Sequence, residues 1–419
     1  MTIFAFFGVL VAFCHAATPN GTPKLQGEIK GELKLFNRTP EFTLPWRLAL
    51  ASQPTDASGD TKRLQAFSWS IESQSTRLYV SGQIDLFTGD GWWRIENGWI
   101  DAAAWLALVA PRLSGIISGA AAGGDFLISG EGTLRQGQAS GRLKLQWRGG
   151  MLTHATQGWT IDGIEVKGEF AIDIAAQSLV SVSPLEVSVR TIAHPRFGAR
   201  AFSMKGNLTE RRTLEIEEMR IEIAGGEIVV DPAEVPLQPF AIDLNLHINR
   251  VGLQDIVLLV PAAGLADARG RIDGEVRAKW SAATDFQVGV GHLELHNDEP
   301  TTLRLAPALG LMTGRVPQFI DLLPKWMGPL ARWTRVENPA YKDLQNVELG
   351  KSELMVSSLH VNLTPNGDER GRSATVQFVA RPTESGTSVK EVTFDVNVAG
   401  PLNQVLKVGM TQNFSISAQ

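Results

Sequence analysis

Phe240-Ala241-Ile242-Asp243-Leu244-Asn245-Leu246-His247-Ile248 places a large apolar side chain at every second position and a small or polar one between. Alternate residues of an extended strand point to opposite faces, so this segment has one apolar face and one polar face. A helix would scatter the same residues around its circumference. The period of two recurs at Leu78–Leu86, Leu143–Trp147, Phe170–Ile174, Met219–Ile223, Ile272–Trp280 and Val392–Val398. Glycine, asparagine and aspartate fall between many of these runs, as turns require. The expected fold is mainly β: long antiparallel strands forming an elongated curled sheet or groove, with a few short capping helices. One-sided alternation also means that each sheet has one face in water and one that another layer or a ligand must cover.

Composition bounds what such a chain can do. Its 419 residues hold ample apolar content for two or three domains. The formal net charge is −5 with both signs interspersed, so no basic stripe suits a nucleic acid. Ile3–Phe13 is an apolar run followed by Ala16-Ala17 and Pro19, the pattern of a cleaved export signal over residues 1–16. It lacks a preceding positive charge, and it is shorter than the roughly 20 residues a membrane span needs. Cys14 is the sole cysteine and would leave with that signal. Disulfides, thiol catalysis and thiolate metal sites are therefore not expected.

A weak internal repeat is visible. Ile100-Asp101 leads into Ala104–Val109 and Pro111, and Leu253-Gln254-Asp255 leads into Ile256–Val260 and Pro261. Both read as a strand, a short helix and a glycine-rich return, which predicts helices near residues 101–113 and 253–262. In the second, Leu253, Ile256, Val257 and Val260 share one helical face, enough to cap an open sheet. From Leu303 to Trp333, Leu305, Leu309, Leu311, Phe319, Leu322, Leu323, Trp326, Met327, Leu330 and Trp333 are interrupted by Pro307, Pro317, Pro324 and Pro329. This stretch predicts two or three short helices that cover a sheet end or touch a membrane surface.

Catalytic signals are thin. His292, Glu294 and His296 alternate on one strand face and could offer ligands to a metal, yet an exposed polar face accounts for them as well. Glu215, Glu217, Glu218 and Glu222 read as a solvated strand edge. No nucleophile elbow, phosphate loop or zinc-protease motif occurs. No enzyme activity, cofactor or metal is expected.

One stretch carries a resemblance. Pro184–Val189 leads through Phe197-Gly198-Ala199 and Leu214–Ile223 to Ala224-Gly225-Gly226-Glu227-Ile228. Phe240–Ile248, Leu253–Val260, Gly264-Leu265 and Ala268-Arg269-Gly270-Arg271-Ile272-Asp273-Gly274 then follow in order. This succession resembles the YdbH-like envelope proteins, relatives of the AsmA and TamB group. The resemblance implies a periplasmic protein of repeating β-groove type that passes phospholipid between inner and outer membrane along an apolar lining. The residues it would assign to that lining are Phe170, Ile172, Ile174, Met219, Ile221, Ile223, Phe240, Ile242, Leu244, Leu246 and Ile248. Acyl chains leave water for such a surface at roughly 0.8 kcal/mol per buried methylene. The same residues would equally build a closed sandwich core, and periodicity does not separate the two.

The expected organisation is a signal peptide (1–16), an N-terminal β region (17–150), a YdbH-like groove region (151–300) and proline-broken helices followed by C-terminal strands (301–419). Expected partners are phospholipid, a membrane surface and other envelope proteins. Two other classes stay open: a β-rich scaffold that assists outer-membrane protein assembly or envelope integrity, and a carbohydrate-binding β protein. The last would need aromatics and paired carboxylates in one cleft.

Overall fold

The computed structural model describes residues 27–35, 42–51, 64–85, 87–109, 119–195, 197–259, 265–281, 285–322 and 334–399. The expected signal segment lies outside them. About 70% of the described residues are strand and 7% are helix, far from the usual 20–25% strand. The paired strands run antiparallel, and the sheet does not close into a barrel. The chain divides into two compact units, Met1–Pro195 with Ala199–Met219 and Pro232–Pro239, and Arg196–Gly198 with Arg220–Asp231 and Phe240–Gln419.

The first unit opens as a meander. Strands β1 (Gly27–Leu35), β2 (Phe42–Ala51), β3 (Leu64–Glu72), β4 (Thr76–Asp85) and β5 (Gly91–Asp101) lead to helix α1 (Ala102–Val109). β6 (Ala121–Arg135), β7 (Gln138–His154), β8 (Trp159–Asp173) and β9 (Ser178–His194) follow. Each of these nine strands pairs with the next in sequence. The β6–β7 turn is Gln136-Gly137, both with positive φ, a two-residue turn whose twist matches the strands it joins. Leu44, Leu48, Ile71, Ile84 and Trp93 are fully buried in one core on the inner face of β2–β5. Asp101 accepts the N–H of Ala103 and so caps α1. Trp105 of that helix packs on the core and donates its indole N–H to Thr76 at 3.0 Å.

Beyond β9 the chain runs through β10 (Phe197–Leu208), β11 (Thr213–Ile223), β12 (Gly226–Val230) and β13 (Ala233–Pro236). Within the first unit, Thr213–Ile216 of β11 pairs with β13.

The second unit contains β14 (Ala241–Gly252), α2 (Leu253–Leu259), β15 (Leu265–Arg269), β16 (Arg271–Ser281), β17 (Asp285–Leu295) and β18 (Thr301–Leu305). It continues with β19 (Phe319–Asp321), β20 (Arg335–Glu337), α3 (Pro339–Glu348), β21 (Leu354–Leu363), β22 (Arg372–Pro382) and β23 (Val392–Ala399). Its ladder runs β12–β14–β16–β17–β21–β22–β23. β18 pairs with the first residues of β21 and also with β15. The second core gathers Val251, Ile272, Leu354 and Ala380 beneath Leu253 and Val257 of α2, Leu303 and Leu305 of β18, and Val347 of α3.

Two helices stand where periodicity places them, α1 and α2, whose continuations to 113 and 262 lie outside the described residues. The helices expected from Leu303 need correction. Thr301–Leu305 is a strand, because Thr301, Leu303 and Leu305 share a buried face and hydrogen-bonding partners flank it on both sides. After it come one 3-10 turn at Thr313–Arg315 and the short pair β19–β20, while Leu309 and Leu322 are exposed. Residues 323–333 lie outside the described set. The third helix, α3, lies beyond that stretch.

Candidate functional site

Strand register builds an apolar face across the second unit. Ile248, Leu246, Leu244 and Ile242 of β14 stand opposite Gly274, Val276, Ala278 and Trp280 of β16. Those four in turn face Leu293, Gly291, Val288 and Phe286 of β17. Leu363 and Val361 of β21, then Ala374 and Val376 of β22, carry the face onward. Directly opposed residues share a face, so the apolar rows run unbroken from strand to strand.

Burial varies along this face. At one end Val251, Ile272, Leu354 and Val356 belong to one buried cluster with residues of α2, β15, β18 and α3. Ile248, Leu246 and Val276 come next and are half-buried, and Leu244 beyond them is 8% exposed. At the other end Ile242 and Trp280 are half-buried. Phe240 and Phe286 are 44% and 56% exposed, and the Phe240 ring centre lies 5.3 Å from that of Trp280. The face is therefore capped at one end and open at an aromatic rim at the other.

The opposite face of the same strands is charged and internally satisfied. Arg277 forks onto Asp243 at 2.6 and 2.8 Å, and Lys279 adds a contact at 3.2 Å. The Arg277 hydrogen bonds hold the Asp243 carboxyl below its ordinary pKa. His247 sits between Asp231 at 2.7 Å and Glu275 at 3.2 Å.

The first unit also has fully buried and half-buried apolar rows. Its rows on β2–β5 are fully buried, whereas Phe126, Leu145, Trp147, Val166 and Val187 on β6–β9 are half-buried. Phe126 and Trp147 stack at 4.9 Å. The outer face of β6–β8 carries loose ion pairs, including Lys144 and Arg142 with Glu169.

The residues expected to line a groove fall into two groups. Phe170, Ile172, Ile174 and Met219 belong to the first unit, where Phe170 is buried opposite Leu143 and Ile172 and Ile174 pack on the core. Ile221, Ile223, Phe240, Ile242, Leu244, Leu246 and Ile248 belong to the second, and there the β14 residues form one row. Ile223 and Ile248 pack against the closed end. His292 and Glu294 are exposed, while His296 turns to Asp273 and Asp298 instead. Among the described residues no group of three or more His, Cys, Asp or Glu is placed to hold a metal.

Periodicity does not find the polar knot at the base of α2. Arg271 donates to the carbonyls of Gly225 at 2.6 Å and Arg250 at 3.1 Å, and approaches Glu299 at 3.3 Å. Asp273 accepts the Arg250 N–H at 2.7 Å and contacts His296 at 2.6 Å. The knot ties the β11–β12 turn and a bulge in β14 to the start of β16, where α2 leaves the sheet. Arg271 and Asp273 belong to the Arg-Gly-Arg-Ile-Asp-Gly run, so that glycine-spaced run is a fastening.

The knot titrates in a defined direction. The Asp273 hydrogen bond raises the His296 pKa above its ordinary value. Burial opposes ionisation of Asp273, but the Arg250 N–H and His296 outweigh it and hold its pKa low. The pair therefore contributes stability above the depressed Asp273 value, fully below the ordinary histidine value, and loses it as pH rises through the elevated His296 value. An NMR titration should place the His296 midpoint above about 6.5, and Asp273→Asn should bring it down. An unchanged midpoint in the variant would show that Asp273 is not the cause.

A family model described as "YdbH-like: Intermembrane phospholipid transport protein YdbH" matches residues 48–319, about two thirds of the chain. The chain belongs to the YdbH-like family. No curated protein and no solved structure matches it. The YdbH-like match covers β3 to β18 in full, and so includes the β6–β9 rows and the β14–β16–β17 rows described above. The family is one of intermembrane phospholipid transport, an envelope activity. Among the described residues no helix is long and apolar enough to cross a membrane.

Proposed function

We propose that this YdbH-like chain carries phospholipid between the two membranes of a cell envelope by seating acyl chains on its apolar strand faces. The observation that supports this is the open end of the second unit. There an uninterrupted apolar surface reaches water at Ile242, Trp280 and Phe286 instead of being closed by another layer of described residues. The rows at this end span three strands, β14, β16 and β17, about 10 Å across at about 4.8 Å spacing. β16 has ladder partners on both sides, which satisfies its backbone and leaves its side chains to meet the lipid.

The test lies at the rim. Phe286→Asp changes an exposed residue, so stability should move by less than about 0.5 kcal/mol. A carboxylate there would have to be desolvated against an acyl chain, and bound phospholipid should fall at least about tenfold. Thermal melting and mass spectrometry of extracted lipid on one preparation read both quantities. A folded variant that keeps its lipid would remove this end from the binding surface. Leu244→Asp, at a buried position, should instead destabilise the unit by several kcal/mol, roughly 3 or more.

A further inference from the structure

We propose that the apolar face of the second unit selects cargo by acyl chain and is indifferent to headgroup, so that zwitterionic and anionic phospholipids and uncharged diacylglycerol are equivalent ligands. The inference rests on reading that face as the lipid-binding surface. Recognition of a phosphate or ammonium needs a donor, a cation or a carboxylate aimed at it. Among the described residues, none of the aligned rows of β12, β14, β16, β17, β21, β22 and β23 on this face carries an ionisable side chain. The backbone of β16, at the centre of the open end, is taken up by the β14 and β17 ladders on either side.

The ends of the face point the same way. The closed end is apolar, formed by residues such as Val251, Ile272 and Leu303, and offers a headgroup nothing. The open end is rimmed by Phe240, Trp280 and Phe286. Its closest cations along the chain, Arg277 and Lys279, are held by Asp243 on the opposite face. A headgroup seated there stays in water, where it contributes the same whatever its charge. One charge-assisted hydrogen bond would discriminate by roughly 10- to 100-fold, and each buried methylene should tighten binding about fourfold.

Short-chain lipids below their micelle concentration expose both dependences, because their chains start in water. Binding of dihexanoyl phosphatidylcholine, phosphatidylglycerol, phosphatidic acid and dihexanoylglycerol to the full chain is measured in buffer with 150 mM salt, which screens the long-range field. The four should agree within about threefold, and diheptanoyl phosphatidylcholine should bind roughly 15-fold tighter than its dihexanoyl counterpart. Phe286→Asp should weaken all of them. A headgroup preference above about tenfold, with binding otherwise intact, overturns the inference while leaving the lipid site standing. Failure of every lipid to bind overturns the lipid site itself and this inference with it.

Discussion

Glu348→Ala should cost the second unit about 4 kcal/mol, the largest loss expected from a single polar side chain in this protein. Glu348 ends α3 and is 1% exposed, yet it is ionised. Burial pushes its pKa up, but the Thr313 hydroxyl and the backbone N–H groups of Met312, Thr313 and Gly310 outweigh that and hold it low. The distances are 2.7 Å to the hydroxyl and 3.0 and 3.1 Å from the N–H groups of Met312 and Thr313. Alanine would leave these donors without an acceptor, and each buried orphan costs about 1–3 kcal/mol. Glu348→Gln keeps one acceptor oxygen and should cost about half as much. Because the folded pKa is depressed, the contribution is complete above the ordinary glutamate value and fades only as pH falls through the lowered one. Denaturant unfolding measures the loss, and a cost under about 1 kcal/mol would show that water replaces the carboxylate without penalty.

Trp93→Ala should cost the first unit about 4 kcal/mol as well, by a different route. Trp93 is 1% exposed and is the largest fully buried side chain described. Its ring lies over two glycines that face each other across β6 and β7, Gly132 and Gly141, where a Cβ on either would come within 2.8 Å of the ring. The indole occupies space that those strands leave vacant, so removing it opens a cavity that no neighbour fills. Such a loss in a unit of this size should lower its melting temperature by roughly 10 °C. Trp93→Phe should retain about half of the contribution. A melting point within 2–3 °C of the parent for the alanine variant would mean that the sheet collapses to close the gap.

These two positions also show what the amino-acid pattern reveals and what it hides. Strict alternation in Phe240–Ile248 and its counterparts identified the strands, because the period of two is a property of the backbone alone. The helix at α2 was legible from Leu253 and Val257, four residues apart on one face. α3 was not, although Asn338-Pro339 carries a start signal: Asn338 accepts the Ala340 N–H and proline takes the first turn. Leu303–Leu305 looked like the beginning of a helical stretch because its leucines continue into later apolar residues. Flanking strands settled it otherwise, and they come from distant parts of the chain. The eleven lining residues expected from the resemblance were all apolar strand or strand-flanking positions, but their distribution over two units depends on pairing, which alternation does not encode. Nor does alternation separate a capped end from an open one. Leu244 and Ile242 are indistinguishable in the pattern, yet Leu244 is buried and Ile242 half-buried. The knot of Arg271, Asp273 and His296 was invisible for a related reason: its members meet only after β14, β16 and the β17–β18 connection are in place.

The nearest-neighbour order of β1 to β9 makes the first unit modular in steps of two strands. Excising one strand would reverse the direction of all those after it and turn their apolar rows to water. Excising a complete up-and-down pair such as β6 and β7, residues Ala121–His154, would leave direction and facing intact. A scaffold of this kind can change its reach by whole hairpins, so its length is an adjustable quantity while its cross-section is conserved.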